Sequence, residues 1–213
     1  MNDLDTLEPP WPRRRLLRCA GGLALGGGWL AQPALAAPPM PLSPTPSQTE
    51  GPFYPVALPV DRDGDLLQNG ALGYRRGQAV QLSGRVLDTA GRPLRGAEVE
   101  IWQCDEDGHY HHPGDGGRAD PAFQGFGLGR YRFRTLRPAA YSGRTPHIHV
   151  KVKQGGRTLL TTQLYVEGDA GNARDPLWRS LDAAARQALT VPFRPPSPIS
   201  AELQAEFGIV VRV

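Results

Sequence analysis

The sequence predicts an all-β fold, an antiparallel β-sandwich with long loops and one short helix. Three observations carry the prediction. The 26 glycines and 22 prolines among 213 residues disfavour long helices. Short alternations of apolar and polar side chains recur along the chain, as in half-buried strands. Gly, Pro or Asp turn signals bound each of them.

Taken in order, Val80, Leu82 and Val86 alternate with Gln81, Ser83 and Arg85. Asp88-Thr-Ala-Gly-Arg-Pro93 then reads as a turn. Ala97, Val99 and Ile101 alternate with Glu98 and Glu100 and run into Trp102, and these two strands are expected to pair. Further strands are expected over residues 131–136, 147–153, 159–166 and 207–213. Asp175 can cap a single helix with Pro176 at its first position, running near residues 177–189. The glycines of segment 125–131 are not read as a nucleotide loop.

Upstream of the sandwich, Arg13-Arg14-Arg15 precedes an apolar, Gly-rich stretch from Ala20 to Leu30 and the small-x-small pattern Ala34-Leu35-Ala36. Residues 1–36 therefore read as a twin-arginine export signal, which places the mature protein in the periplasm or outside the cell. The stretch falls short of the roughly 20 apolar residues of a membrane span, so no stable membrane insertion is expected. Residues 37–60, rich in Pro, Ser and Thr, form an extended arm, and residues 61–213 form the sandwich domain. Because the twin-arginine route carries folded proteins, a cofactor loaded before export becomes more plausible.

Charge excludes one class of partner. The net charge is +3, with Lys151 and Lys153 the only lysines, and this gives nucleic-acid binding no support. Cys19 falls inside the export segment, which leaves Cys104 alone in the mature chain and rules out an internal disulfide there.

All five histidines lie between His109 and His149. In His147-Ile148-His149 a period of two puts both imidazoles on one face of a strand and the apolar Ile148, Val150 and Val152 on the other. Two imidazoles can then converge on one metal ion. The competing reading is an accidental His-x-His on an exposed strand face that also carries Lys151 and Lys153. Two upstream segments, Trp102-Gln-Cys-Asp-Glu-Asp-Gly-His-Tyr-His-His112 and Pro138-Ala-Ala-Tyr141, each bring a tyrosine near and favour metal.

The motifs Gly108-His-Tyr110, Tyr141-Ser-Gly-Arg144-Thr-Pro-His147-Ile-His149 and Thr162-Gln163-Leu-Tyr165, with the arm Thr45-Pro-Ser-Gln-Thr-Glu-Gly-Pro-Phe-Tyr54, resemble the intradiol ring-cleavage dioxygenases. That is the protocatechuate 3,4-dioxygenase and catechol 1,2-dioxygenase group. The resemblance implies a non-haem Fe(III) held by Tyr110 and His147 as equatorial ligands and by Tyr141 and His149 as axial ones. It implies a catechol-type substrate and O2, cleavage between the two hydroxylated carbons, and a cis,cis-muconate-type product. Tyr141 would be the ligand the substrate displaces, acting as a base. Arg144 would face the ring, Gln163 would lie near the iron-bound oxygen, and Thr49, Gly51 and Phe53 would wall the pocket.

Charge and hardness make such a centre reasonable: a strong Lewis acid can ionise phenols whose free pKa is about 10, and two phenolates with one hydroxide balance three positive charges. A centre of two histidines and one carboxylate on Fe(II) fits less well, because Asp105, Glu106 and Asp107 read as a solvated turn. Tyr54, Tyr131 and Tyr165 read as core or pocket aromatics, and His109, His111 and His112 as loop residues. A substrate carboxylate would call for a cation such as Arg130 or Arg134.

Two departures from the family pattern stand out. Ser142-Gly143 replaces a Pro-Trp pair between Tyr141 and His147, which removes one wall of the ring pocket. The N-terminal helical dimerisation region of the catechol and hydroxyquinol enzymes is missing, although a homo-oligomer remains compatible with the sequence. The rival function is a noncatalytic exported binding module, because Gly84-Arg-Val-Leu-Asp-Thr-Ala-Gly-Arg-Pro-Leu-Arg-Gly-Ala97 also resembles transthyretin-like domains.

Overall fold

The computed structural model describes residues 40–213. The proposed export segment lies outside the described residues. None of the helices among them is long and apolar enough to cross a membrane.

Residues 40–60 contain no helix or strand. β1 (Gln68–Asn69) and β2 (Leu72–Gly73) make a small ribbon. β3 (Ala79–Ser83), β4 (Val86–Asp88), β5 (Ala97–Trp102), β6 (Phe126–Gly129) and β7 (Arg132–Leu136) follow. The two longest strands are β8 (His147–Gln154) and β9 (Arg157–Val166). After them come α1 (Pro176–Ser180), α2 (Ala183–Leu189), β10 (Thr190–Val191), β11 (Leu203–Glu206) and β12 (Ile209–Val211).

The strands form a five-stranded sheet ordered β10-β9-β8-β5-β6 and a three-stranded sheet ordered β11-β3-β7, with β12 and β4 as a separate pair. One apolar cluster joins the two larger sheets: Val99 and Ile101 of β5 and Ile148, Val150 and Val152 of β8 share it with Val80, Leu82 and Phe133. Burying each such side chain contributes about 1.5–3 kcal/mol, so alternation along the strands sets which face turns inward. The class is all-β, as the patterning predicts.

Three details differ from expectation. The strands around Val80 and Ile101 do not pair. β3 lies between β7 and β11, while β5 lies between β6 and β8. The turn at residues 88–93 folds back on β4 alone, through Asp88 N–H to Arg92 O and Leu94 N–H to Val86 O, and the chain then crosses to the other sheet. The sandwich is also not wholly antiparallel, since the C-terminal strands β10, β11 and β12 each add in parallel. The single expected helix is two: Leu181 and Asp182 are extended, and the Asp182 carboxylate caps α2 by accepting from Ala185 N–H.

Candidate metal centre

β8 carries the site. Its residues His147 and His149 point to the face opposite Ile148 and Val150, and both are buried. Tyr110 reaches them from the loop after β5. That loop is pinned by Asp105, which is 1% exposed and accepts from the N–H groups of Asp107, His109 and Asp120. Asp105 is therefore a buried staple and not part of a solvated turn, because three donors replace its water; Glu106 and Asp107 do lie exposed. Gly108, at φ +82°, lets the same loop close on Tyr141: a Cβ there would lie 3.0 Å from Ala140 O and 3.3 Å from Tyr141 Cβ.

Tyr141 and Arg144 flank a two-residue turn. Ser142 and Gly143 both have positive φ (42° and 76°), and Arg144 N–H donates to Tyr141 O at 2.7 Å. This turn stands where the sequence lacks the Pro-Trp pair, and it brings both side chains to the mouth of the site.

The four aromatic rings close a circuit. Ring centroids are 5.0 Å apart for Tyr110–Tyr141, 5.4 Å for Tyr141–His147, 4.9 Å for His147–His149 and 6.2 Å for His149–Tyr110. Three buried polar atoms of this circuit have no hydrogen-bond partner: Tyr110 Oη, His147 Nε2 and His149 Nδ1. Unpaired buried polar groups are costly, so three in one place call for an explanation.

The electrostatics supply one. Burial pushes the His147 imidazole down to about 4, with the nearby Arg144 charge acting in the same direction. Burial also holds His149 well below its usual value, helped by His147 and Arg144. Both rings are thus neutral at neutral pH. His147 Nδ1 lies 2.6 Å from Thr145 O; a carbonyl can only accept, so the proton sits on Nδ1 and the Nε2 lone pair is left over. Burial raises the Tyr110 phenol well above 10 and raises Tyr141 as well. Only a cation among them would make these phenols ionise. Two imidazoles and two hard phenolic oxygens fit iron, and fit its oxidised state better than its reduced one. Among the described residues no group of three His, Cys, Asp or Glu side chains could hold a metal, so a centre of two histidines and one carboxylate is not formed.

Arg144 is held by two partners, Nε to Asp175 Oδ2 at 2.8 Å and Nη2 to Gln163 Oε1 at 2.7 Å. Asp175 is fully buried; it also accepts from Thr145 N–H and caps α1 through Leu177 and Trp178 N–H. The sequence shows Asp175 as a helix cap, but nothing in it links the residue to Arg144. Gln163 bridges Arg144 to the arm by donating to Thr49 O at 3.0 Å. On the arm, Phe53 stacks on Tyr110 at 4.8 Å, and Gly51 (φ +74°) lies so close to His149 that a Cβ would sit 3.2 Å from Cε1. Thr49 turns its hydroxyl to Gly51 N–H. Trp102, missed as a site residue, stacks on His149 at 4.8 Å and 9°.

The two cations expected for a substrate carboxylate lie elsewhere. Arg134 pairs with Glu202 and Asp65, and Arg130 lines a separate groove with Gly84 and Tyr131, so neither serves this site. His111 and His112 bond within their own loop. Tyr165 is buried beside His147, and Cys104 is a free buried thiol.

Asp175 gives a stability prediction. Burial alone would raise its carboxyl, but the N–H groups of Trp178 and Thr145 and the Arg144 guanidinium outweigh that and hold it below the usual aspartate value. Its contribution is thus complete above about pH 3.9 and is lost as pH falls through the lower, folded value. Asp175→Ala is expected to cost about 3–5 kcal/mol in urea denaturation at neutral pH, and to remove this component of the acid limb. Parallel acid limbs in the two proteins would contradict it.

A β-sandwich presenting a pocket of two phenols and two neutral imidazoles is the architecture of a metal-dependent protein, and comparison with known proteins specifies which. The family described as Dioxygenase matches residues 49–211. The chain is 35% identical to the protocatechuate 3,4-dioxygenase beta chain of Burkholderia cepacia over 198 residues, covering 82% of this chain and 83% of that one. It is 28% identical to hydroxyquinol 1,2-dioxygenase of Nocardioides simplex, covering 75% of this chain but only 60% of the relative. The solved dioxygenase domain of a dioxygenase–carbohydrate-binding fusion from Streptomyces sp. SirexAA-E superposes with TM-score 0.62 at 33% identity, over 80% of this chain and 99% of that one. The chain belongs to the intradiol ring-cleavage dioxygenase family. The binding-module reading is correspondingly disfavoured.

Proposed function

We propose that this chain is an Fe(III) intradiol dioxygenase that cleaves a catechol-type ring between its two hydroxylated carbons, with O2, to a cis,cis-muconate-type product. The observation that carries this reading is the closed circuit of Tyr110, Tyr141, His147 and His149 with partnerless buried polar atoms. These four residues would hold the ion. When bound, the ferric ion supplies the Lewis acidity that ionises the catechol and makes its ring carbons reactive towards O2.

The protein's own groups then divide the work. Tyr110 is 2% exposed and packed beneath Phe53, so it stays in place. Tyr141 sits on the exposed Ser142–Gly143 turn, is less buried, and is the residue with room to swing out. Held as a phenolate by the bound ion, its oxygen would be the base that accepts a proton from a substrate hydroxyl, becoming a neutral phenol. Arg144, fixed by Asp175 and Gln163, presents positive charge to the negative charge that develops on the ring, without reorganising. Phe53 and Gly51 close the side formed by the arm.

We also infer that residues 1–36 direct export, on the strength of the paired arginines and the Ala34-Leu35-Ala36 pattern. One experiment addresses both readings. Oxygen uptake is measured with catechol, protocatechuate and hydroxyquinol in fractionated cells expressing the full chain. The expected result is one O2 consumed per ring cleaved, in the periplasmic fraction. No uptake with any of the three would overturn the catalytic reading; uptake confined to the cytoplasm would overturn the export reading alone.

A further inference from the structure

The face of β8 that carries His147 and His149 continues, two residues at a time, through Lys151 and Lys153. These are the chain's only lysines, and such a face would ordinarily be left to water. Here Lys151 is buried, its side chain 7% exposed. A buried ammonium persists only where partners replace its hydration.

Among the described residues, the near partners of Lys151 are two residues of the arm, with the Trp102 ring of β5 farther off at 5.6 Å. Glu50 lies 2.6 Å from Nζ as an ion pair. The ring of Tyr54 lies beneath Nζ, 3.3 Å to its centroid, in cation–π geometry. Tyr54 in turn is fixed on its other edges. Its hydroxyl donates to the buried Glu100 at 2.9 Å, Lys153 pairs with that same carboxylate at 2.7 Å, and the ring stands edge-on to Trp102 at 5.0 Å. Glu50 and Tyr54 bracket Gly51 and Phe53, the two arm residues that press on His149 and Tyr110.

We propose that Lys151 is a positioning residue: its ammonium clamps the arm at Glu50 and Tyr54 and so holds Gly51 and Phe53 over the substrate pocket, although Lys151 is not one of the four residues that would hold the ion. The proposal rests on the dioxygenase reading for its kinetic consequence, but the clamp itself is independent of it. The arm's few backbone bonds to the body, such as Gln48 N–H to Thr161 O and Thr45 N–H to Val210 O, do not reach residues 50–54, so this stretch depends on side chains. Releasing the clamp lowers the population of the closed arm. Apparent substrate affinity falls by the same fraction, while chemistry in the closed state is unchanged.

The test is a double-mutant cycle on the full chain with Lys151→Met, which keeps the apolar stem, and Glu50→Gln, which lies on the arm outside the sheet. Each single variant is expected to raise KM for catechol about tenfold at closed-arm populations near one in ten, with a smaller change in kcat and unchanged iron content. The double variant is expected to be no worse than Lys151→Met alone, because the two side chains act as one contact. Lys151→Arg, which retains charge and stacking, is expected to restore KM.

Hydrogen exchange gives a readout that needs no activity: amides of residues 44–54 should exchange faster in both single variants, with β8 and β9 unchanged. Should Lys151→Met fail to fold, Glu50→Gln carries the test, since it changes only the arm. Wild-type exchange in the arm of Glu50→Gln, or independent additive effects in the cycle, would overturn the clamp. Faster arm exchange with an unchanged KM would overturn its role in substrate binding. A wild-type protein that consumes no O2 with any catechol would sink the catalytic reading while leaving the exchange test of the clamp intact.

Discussion

Tyr110→Phe is expected to fold as well as the wild type and to lose its iron. The phenylalanine keeps the ring that stacks on Phe53 and packs with Trp102, Cys104 and Phe126. What disappears is one buried hydroxyl, and without metal that hydroxyl has no partner. Removing an unsatisfied buried polar atom is neutral or stabilising, so the apoprotein should denature at the same or a higher urea concentration. Metal binding should move the other way. Changing a residue that merely orients a metal ligand already costs 10–100-fold, so removing a ligating oxygen should cost at least about 100-fold in iron affinity. Metal titration followed by the tyrosinate-to-iron absorption band reads this directly; a Tyr110→Phe protein that is red-brown and fully loaded would contradict the assigned role. The split between apo stability and metal affinity matters, because a purely structural tyrosine would not produce it.

Arg144→Ala is expected to retain iron and turn over slowly. Its guanidinium is not a ligand, but it is a fixed charge directed at the site, and losing one preorganised donor of that kind costs about 10²–10³ in kcat. The same change leaves the buried Asp175 unpaired, which adds a stability cost of about 3–5 kcal/mol. The two effects separate in the variant Arg144→Ala/Asp175→Asn. Removing the carboxylate's charge relieves the unpaired ion but sets an amide NH2 against a backbone donor, so stability should recover only in part, and turnover not at all. Arg144→Lys should recover little activity, because a single ammonium cannot fork to Asp175 and Gln163 together. Steady-state oxygen uptake and urea denaturation measure the pair; a double variant that regains activity along with stability would contradict the electrostatic role.

The parts of this protein that were legible in its sequence are those written locally. The period-two pattern of β8 separates His147 and His149 from Ile148 and Val150 without any knowledge of neighbours, and the structure has that alternation. The Asp175-Pro176 cap is likewise a local signal, and α1 begins there. Residues whose partners lie far along the chain were not legible. β3 and β5 each carry a strand pattern, but pattern does not state partner, and the turn after β4 satisfies itself before the chain crosses the sandwich. Asp105 looks like one member of an acidic turn until three backbone donors are found around it. Asp175 meets Arg144 across 31 residues, and Glu50 meets Lys151 across about a hundred. The lysines illustrate the point: on the strand alone they argue for a solvated face, and only the overlying arm shows why Lys151 is buried.

Four side chains sharing one ion are the centre of this protein's chemistry. Diffraction from crystals of the iron-loaded protein, collected on both sides of the iron absorption edge, tests that most directly. The expected result is a single anomalous peak within bonding distance of Tyr110 Oη, Tyr141 Oη and one ring nitrogen each of His147 and His149. A peak that lacks either tyrosine, or iron bound elsewhere on the chain with this circuit of rings left empty, would contradict it.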